Sequence, residues 1–303
     1  MNFINRTTGA VFFVDILGFG ALTQNLINLK DEHYSPWLDK YHQNYDNQVL
    51  AAAILSEFRE ILISVDAKYN SVTISQLSDC AFIWSENITE VILAANNIMT
   101  ECINNGIMCR GGMSYGEIIE TKQNHNLGRF ILGKAVTEAV KLEGIAKGCR
   151  IMISQEIPNA LFHYDKDFHT RIHSLFQPFT NPLDYITYDE FKWYVVPDMD
   201  QNVADLKLID TTKKLSLIAS RLLLAVTIRQ HPKYYLNSQS KEGLIQLRAS
   251  INFIAKSNDE PFNFKHDFGW EDVVEMRSID SLNRMTNLIS SEKNSVLPFL
   301  IKE

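Results

Sequence analysis

The 303-residue sequence has no uninterrupted apolar run approaching the ~20 residues that a bilayer span requires. Its best candidate, Leu215 to Ile228, is broken by Arg221, so neither a transmembrane segment nor a membrane partner is expected. The opening stretch, MNFINRTTGAVFFVDILGFG, has no cationic region ahead of its apolar one, and Asp15 interrupts the latter. It is not expected to act as a signal peptide. Cysteine is scarce: Cys80, Cys102, Cys109 and Cys149 are the only four, and no two stand in a C-x-x-C spacing. That pattern argues against a disulfide framework and reads as reduced, half-buried thiols of a cytoplasmic protein. Positive charge is also in short supply, with 29 Lys+Arg against 36 Asp+Glu. A broad nucleic-acid surface is therefore excluded, and any phosphate must be met at a local site.

What is present is ordinary globular material, 46% hydrophobic, 21% charged and 11% aromatic, which argues against disorder or low complexity. At ~100–200 residues per domain, the length admits one large domain or a domain with a substantial appendage. Val11 to Val14 form an apolar run ending at Asp15, with Gly18-Phe19-Gly20 just beyond, which reads as strand, tight turn, helix. A polar insertion spans about Asp31 to Asn47. Val49, Leu50, Ala53, Ile54, Phe58, Ile61, Leu62 and Val65 then recur at helical spacing. Val72 to Leu77 and Ala81 to Trp84 read as a hairpin turning at Ser78 and Asp79, and Ile88 to Ile103 as a helix. Met108 to Ile119 is a strand whose Gly111, Gly112 and Gly116 leave backbone open to close approach by a ligand or another chain.

This order predicts an α+β, ferredoxin-like fold with an antiparallel-rich sheet and helices on one face. Ala135, Ala139, Leu142 and Ala146 then predict a further helix, and Ile151 to Ser154 a strand, with Ser154 capping the next helix. Ile186 and Phe191 to Val196 have strand character. From about Asn202 the pattern is helical through Leu206, Ile209, Leu222, Leu244 and Ile254, with a break at His231-Pro232. The expected division is a catalytic domain over 1–200 and a mostly helical region over 201–303.

Asp15 ends an apolar strand directly before a glycine turn, so a hard carboxylate stands beside backbone amides suited to an anion. Asp79 lies in a hairpin that a ferredoxin-like sheet brings to the same edge. Each alone is equally explained as a helix cap or a turn residue. Together they form a pair able to hold two divalent ions.

The strings around them resemble the class III nucleotide cyclases: VFFVDILGFG (Val11 to Gly20), ISQLSDCAFIW (Ile74 to Trp84), RGGMSYGEI (Arg110 to Ile118) and GKAVTEAVKLE (Gly133 to Glu143). No GG[DE]EF-like string is present, against a diguanylate cyclase. The resemblance implies Asp15, Ile16 and Asp79 at a site for two Mn²⁺ or Mg²⁺ ions, and Gly18, Phe19 and Gly20 on the substrate phosphates. The purine-reading Lys and Asp positions carry Ser75 and Phe130, and the transition-state Asn and Arg positions carry Thr137 and Lys141. Lys141 is the candidate catalytic cation, weaker than a bidentate guanidinium, with Lys134 as a second phosphate contact. Arg110 is more simply explained as an internally bonded strand arginine. Tyr45, Gln48, Ser75 and Gln76 are candidates for base recognition.

Retained metal carboxylates with altered base-reading positions are most similar to the pyrimidine cyclases of bacterial Pycsar antiphage systems. That resemblance covers residues 10 to 155 and implies a homodimer converting UTP or CTP to the cyclic monophosphate, with a separate effector protein responding to the product. A purine cyclase and a non-catalytic cyclase-homology module are the rival readings.

Overall fold

The computed structural model describes residues 4–121, 130–256 and 261. Strand β1 (Ile4–Ile16) turns through Gly18 into the short α1 (Phe19–Thr23), and α2 (Asp31–Leu38) leads to the long α3 (Asn47–Lys68). The hairpin of β2 (Thr73–Leu77) and β3 (Cys80–Ser85) follows, then α4 (Ile88–Asn104) and β4 (Cys109–Thr121). β1 runs antiparallel between β3 and β4, giving the order β2-β3-β1-β4. With α3 and α4 as crossovers, this is the ferredoxin-like arrangement that the element order predicts.

β5 (Ile131–Leu132) pairs with the far end of β4, and α5 (Lys134–Glu143) returns along the sheet. β6 (Ile151–Ile153) lies parallel to β4; after α6 (Glu156–Tyr164) and α7 (Lys166–Ile172), β7 (Phe176–Thr180) and β8 (Thr187–Phe191) complete the order β4-β6-β8-β7. Last come α8 (Thr211–Gln230) and α9 (Lys241–Lys256), joined by 3₁₀ structure over Pro232–Gln239.

Strand alternation on β1 sorts the core. Ala10, Phe12 and Val14 join the main core with Leu50, Phe58 and Leu62 of α3 and Val91, Ala95 and Met99 of α4. Val11 and Phe13 face the other way, onto Ala135, Val136 and Ala139 of α5. The helices α3 and α4 therefore cover one face as expected, and α5 adds a smaller layer on the other. Local signals start the long helices: Asp46 accepts from the Gln48 and Val49 amides, and Asn87 from Glu90.

Several elements depart from the sequence expectation. β1 extends back to Ile4 because its polar first half pairs with the outer half of β4, Ile4 opposite Thr121. The polar insertion contains α2, anchored by buried Trp37 and Leu38. Leu206 and Ile209 lie outside any helix. There, Asp200 and Asp205 accept the amides of Asn202 and Lys207 (2.7 and 2.9 Å), local turns that outcompete helix formation. Past Phe191 the strand gives way to a 3₁₀ turn, Trp193–Val195, whose Trp193 indole donates to the Cys149 carbonyl (2.9 Å). Ser154 does not cap α6, which has Gln155 at its N-cap; the Ser154 hydroxyl accepts from Ser114 instead (3.2 Å).

The C-terminal helices belong to the same core. Ile218, Leu222, Ala225 and Ile228 of α8 and Leu247, Ile251 and Ile254 of α9 are buried in one cluster with α3, α4 and the sheet. Between them, the Tyr234 hydroxyl donates to Ile103 (2.8 Å), and Lys233 lies over the Trp37 ring and bonds Glu57, which Lys40 also reaches. The rest of the 201–303 region lies outside the described residues. Among the described residues, no helix is long and apolar enough to cross a membrane.

Candidate active site

The end of β1 and the β2–β3 turn meet at one edge of the sheet. Asp15 stands opposite Cys80 in the β1–β3 register, and the Ile16 amide donates to the Asp79 carbonyl at 3.0 Å. The hairpin has a two-residue connection, and Ser78 adopts φ 58° to make it, which places Asp79 next to Ile16. The Leu17 amide is taken by Met108 (2.8 Å). Gly18, at φ 84°, then redirects the chain into α1, whose first-turn amides have no intrahelical partner. Asp15, Ile16, Asp79, Gly18, Phe19 and Gly20 are thus brought together, with both carboxylates part-exposed and Phe19 buried beneath the turn.

Sequence reasoning missed a third carboxylate here. Asp15 faces Arg110 in the β1–β4 register, and Arg110 is bound through Nε and Nη2 to Glu143 at the end of α5, both 2.6 Å, and through Nη1 to the Ala146 carbonyl at 2.9 Å. Arg110 is therefore the internally bonded strand arginine that its context suggested. Gly112 makes this possible: a Cβ there would lie 2.1 Å from the Ala139 carbonyl and 2.6 Å from the Glu143 amide, so only glycine lets α5 sit this close to β4. Gly111 similarly gives its space to the Phe12 ring. The close approach expected for these glycines is filled from within the chain.

The electrostatics follow from this geometry. Burial, then Glu143, then Asp79 push the Asp15 carboxyl up to about 7, against the opposing pull of Arg110. Burial, then Asp15 and Asp79, push the Cys80 thiol to about 11, so it stays neutral. Asp15 thus carries an excess of negative field that a cation would relieve. Among the described residues no group of three or more His, Cys, Asp or Glu side chains forms a ligand cage. Two carboxylates with hard oxygen donors fit Mg²⁺ or Mn²⁺, which commonly keep water and substrate phosphates as their remaining ligands.

The other implied residues distribute along α5. Ala139 and Glu143 lie over Gly112, near the carboxylates, whereas Gly133 lies over Glu117 and Ala135 over Gly116. Lys141 is exposed in the last turn, near the Asp15 end, and Thr137 is exposed mid-helix. Lys134 and Phe130 are exposed at the far end, where the strand rise of ~3.3 Å per residue puts Lys134 roughly 20 Å from Asp15 and Phe130, beside Thr121, roughly 35 Å. Ser75 stands opposite Phe82 on β2, and the Gln76 amide donates to the Ser78 carbonyl of the hairpin turn (3.0 Å). Tyr45 stacks on Tyr34 and donates to Asp39 (2.6 Å), and Gln48 donates to Thr23 at the end of α1 (2.7 Å). Both are engaged within the chain.

No protein-family model matches the chain, and no curated protein does. Solved structures similar to it include the guanylyl cyclase Cya2, at 12% identity and TM-score 0.45, with 67% of this chain and 99% of that chain covered. A bacterial light-regulated adenylyl cyclase is 16% identical with TM-score 0.41, over 62% of this chain and 92% of that one. The dimeric guanylyl cyclase domain of the RhoGC fusion protein from the aquatic fungus Blastocladiella emersonii is 17% identical with TM-score 0.41, over 63% and 97%.

Proposed function

We propose that this chain is a nucleotide cyclase that uses a pyrimidine nucleoside triphosphate and forms cyclic UMP or cyclic CMP with release of pyrophosphate. The observation that carries the reading is the pairing of Asp15 and Asp79 at one sheet edge, fastened by the Ile16 amide and directly preceding the glycine turn. The four cyclase-like strings support it, and every one of them falls on an element of this site or on α5.

In this reading Asp15 and Asp79 hold two divalent ions, with Ile16 beside them. When bound, the ions lower the pKa of the ribose 3′-hydroxyl and offset charge on the phosphate oxygens. The 3′-oxygen, its proton released to solvent, would form its bond to the α-phosphorus as the bond to pyrophosphate breaks. The amides of Gly18, Phe19 and Gly20 orient the β- and γ-phosphates, and Lys141 offsets charge on the leaving group. Lys134 lies roughly 20 Å from Asp15 along the sheet, a long reach for one triphosphate held at the carboxylates, whereas Thr137 lies midway along α5. A site that uses Lys134 is more readily completed by a second copy, which supports a homodimer. Ser75 and Phe130, at the purine-reading positions, support a pyrimidine substrate. Like the Pycsar cyclases its strings resemble, the enzyme would work in the cytoplasm and signal through its cyclic product to a separate antiphage effector.

Asp15→Asn and Asp79→Asn should each cut turnover by about a thousandfold or more while leaving the circular dichroism spectrum unchanged. Near-normal turnover in either variant would refute the assignment.

A further inference from the structure

The loop that follows Glu143 is fastened by side chains of α9, on the far side of the sequence. The buried Gly148 amide donates to Gln246 Oε1 (2.6 Å), and the buried Cys149 amide donates to Ser250 Oγ (3.0 Å). Both acceptors are themselves more than nine-tenths buried. Gly148 adopts φ 85° with the space at its Cα closed by Phe253 and Ser250, so the loop has no room to shift toward α9. Arg150 is sandwiched between the Phe179 and Phe253 rings at 4.1 and 4.0 Å, and bonds Glu190 (2.6 Å).

This loop holds the edge of the carboxylate site. Its Ala146 carbonyl accepts from Arg110, and its Arg150 carbonyl accepts the amide of Gly111 (2.9 Å), the next residue on β4. Arg110 in turn is the residue opposite Asp15. A continuous series of short bonds therefore runs from α9 through residues 146–150 to Arg110.

We propose that Gln246 and Ser250 are positioning residues for the Asp15–Asp79 site, acting through the 146–150 backbone on Arg110. This rests on the reading of Asp15 and Asp79 as metal carboxylates. It gives the C-terminal region a part in the chemistry, because α9 holds the backbone whose Ala146 carbonyl accepts from Arg110.

The test uses the full chain with Gln246→Met, which keeps length and removes the acceptor, and Ser250→Ala, which removes one oxygen and leaves the packing. Three quantities are measured below the melting temperature of each variant: kcat and KM for the triphosphate, Mn²⁺ binding by electron paramagnetic resonance, and the same kcat in an Arg110→Ala background. The expected result is a fall in kcat of about 10- to 100-fold with a much smaller change in KM, and weaker Mn²⁺ binding. In the Arg110→Ala background either substitution should add less than twofold, because the link it breaks is already gone. Wild-type kcat and Mn²⁺ binding in both variants would overturn the proposal. So would effects that multiply fully with Arg110→Ala, or failure of both variants to fold, since each signifies a purely structural role. If the wild-type chain shows no Mn²⁺ binding that Asp15→Asn abolishes, the metal reading fails instead.

Discussion

Asp15 and Asp79 were legible because each sits inside a short string whose meaning is local: strand end before glycine, and hairpin turn. Glu143 was not. Its partner Arg110 lies 33 positions away, and the bond exists only because Gly112 lets α5 settle onto β4. The three carboxylates together make the metal-free site pH-sensitive. Asp15 in the folded, metal-free chain holds its proton up to about 7, whereas the unfolded chain releases it near ~4. The folded state therefore binds more protons between those values, and this contribution to stability is present below ~4 and lost as pH rises through 7. Urea midpoints across that window should fall with rising pH for the metal-free chain, and Asp15→Asn should flatten the slope. Glu143→Gln removes one of the charges that raise Asp15, so carboxyl-carbon NMR should show Asp15 titrating lower in that variant. It also breaks a part-buried ion pair, so its urea midpoint should fall, by the equivalent of about 1–3 kcal/mol.

At the scale of elements, periodicity located α3, α4, α5 and the β2–β3 hairpin, where apolar spacing and caps agree with the tertiary environment. It failed where polar side chains or single anchors decide. Asp200 and Asp205 turn a segment that is helical by spacing, and Trp37 folds a polar stretch into α2 by packing its ring under Lys233 and donating to that residue's carbonyl (3.2 Å). α6 was expected only as a helix beginning after Ser154, and α7 and β7 carried no signal distinct enough to read. The α5–β4 contact offers a direct check. Gly112→Ala places a methyl group 2.1 Å from a backbone oxygen, which forces α5 off the sheet. Overpacking of this kind costs about 1–3 kcal/mol or more, so the melting temperature should drop by several degrees. Turnover should fall as well, because Glu143 and Lys141 move with the helix. An unchanged melting temperature would mean that α5 does not rest on Gly112.

For the whole molecule, the acidic balance of 29 Lys+Arg against 36 Asp+Glu pointed to a local phosphate site, and the site that emerges is itself acidic, suited to a triphosphate bridged by cations. The expected division near residue 200 did not foresee how far α8 and α9 share the core, since helical periodicity reports an apolar face and not what it packs against. A chain ending before α8 would expose the faces that Ile218, Leu222, Leu247 and Ile251 now cover. It should be insoluble or lack cooperative unfolding by circular dichroism; a stable, cooperatively folding truncation would show the helices to be dispensable. The central claim, that this fold cyclises a pyrimidine nucleotide, is tested most directly by product analysis. Purified protein with Mn²⁺ and each of ATP, GTP, CTP and UTP in turn, followed by mass spectrometry, should give cyclic UMP or cyclic CMP with pyrophosphate, and none from Asp15→Asn. A cyclic purine as the main product would contradict the pyrimidine assignment, and no cyclic product from any of them would contradict the account as a whole.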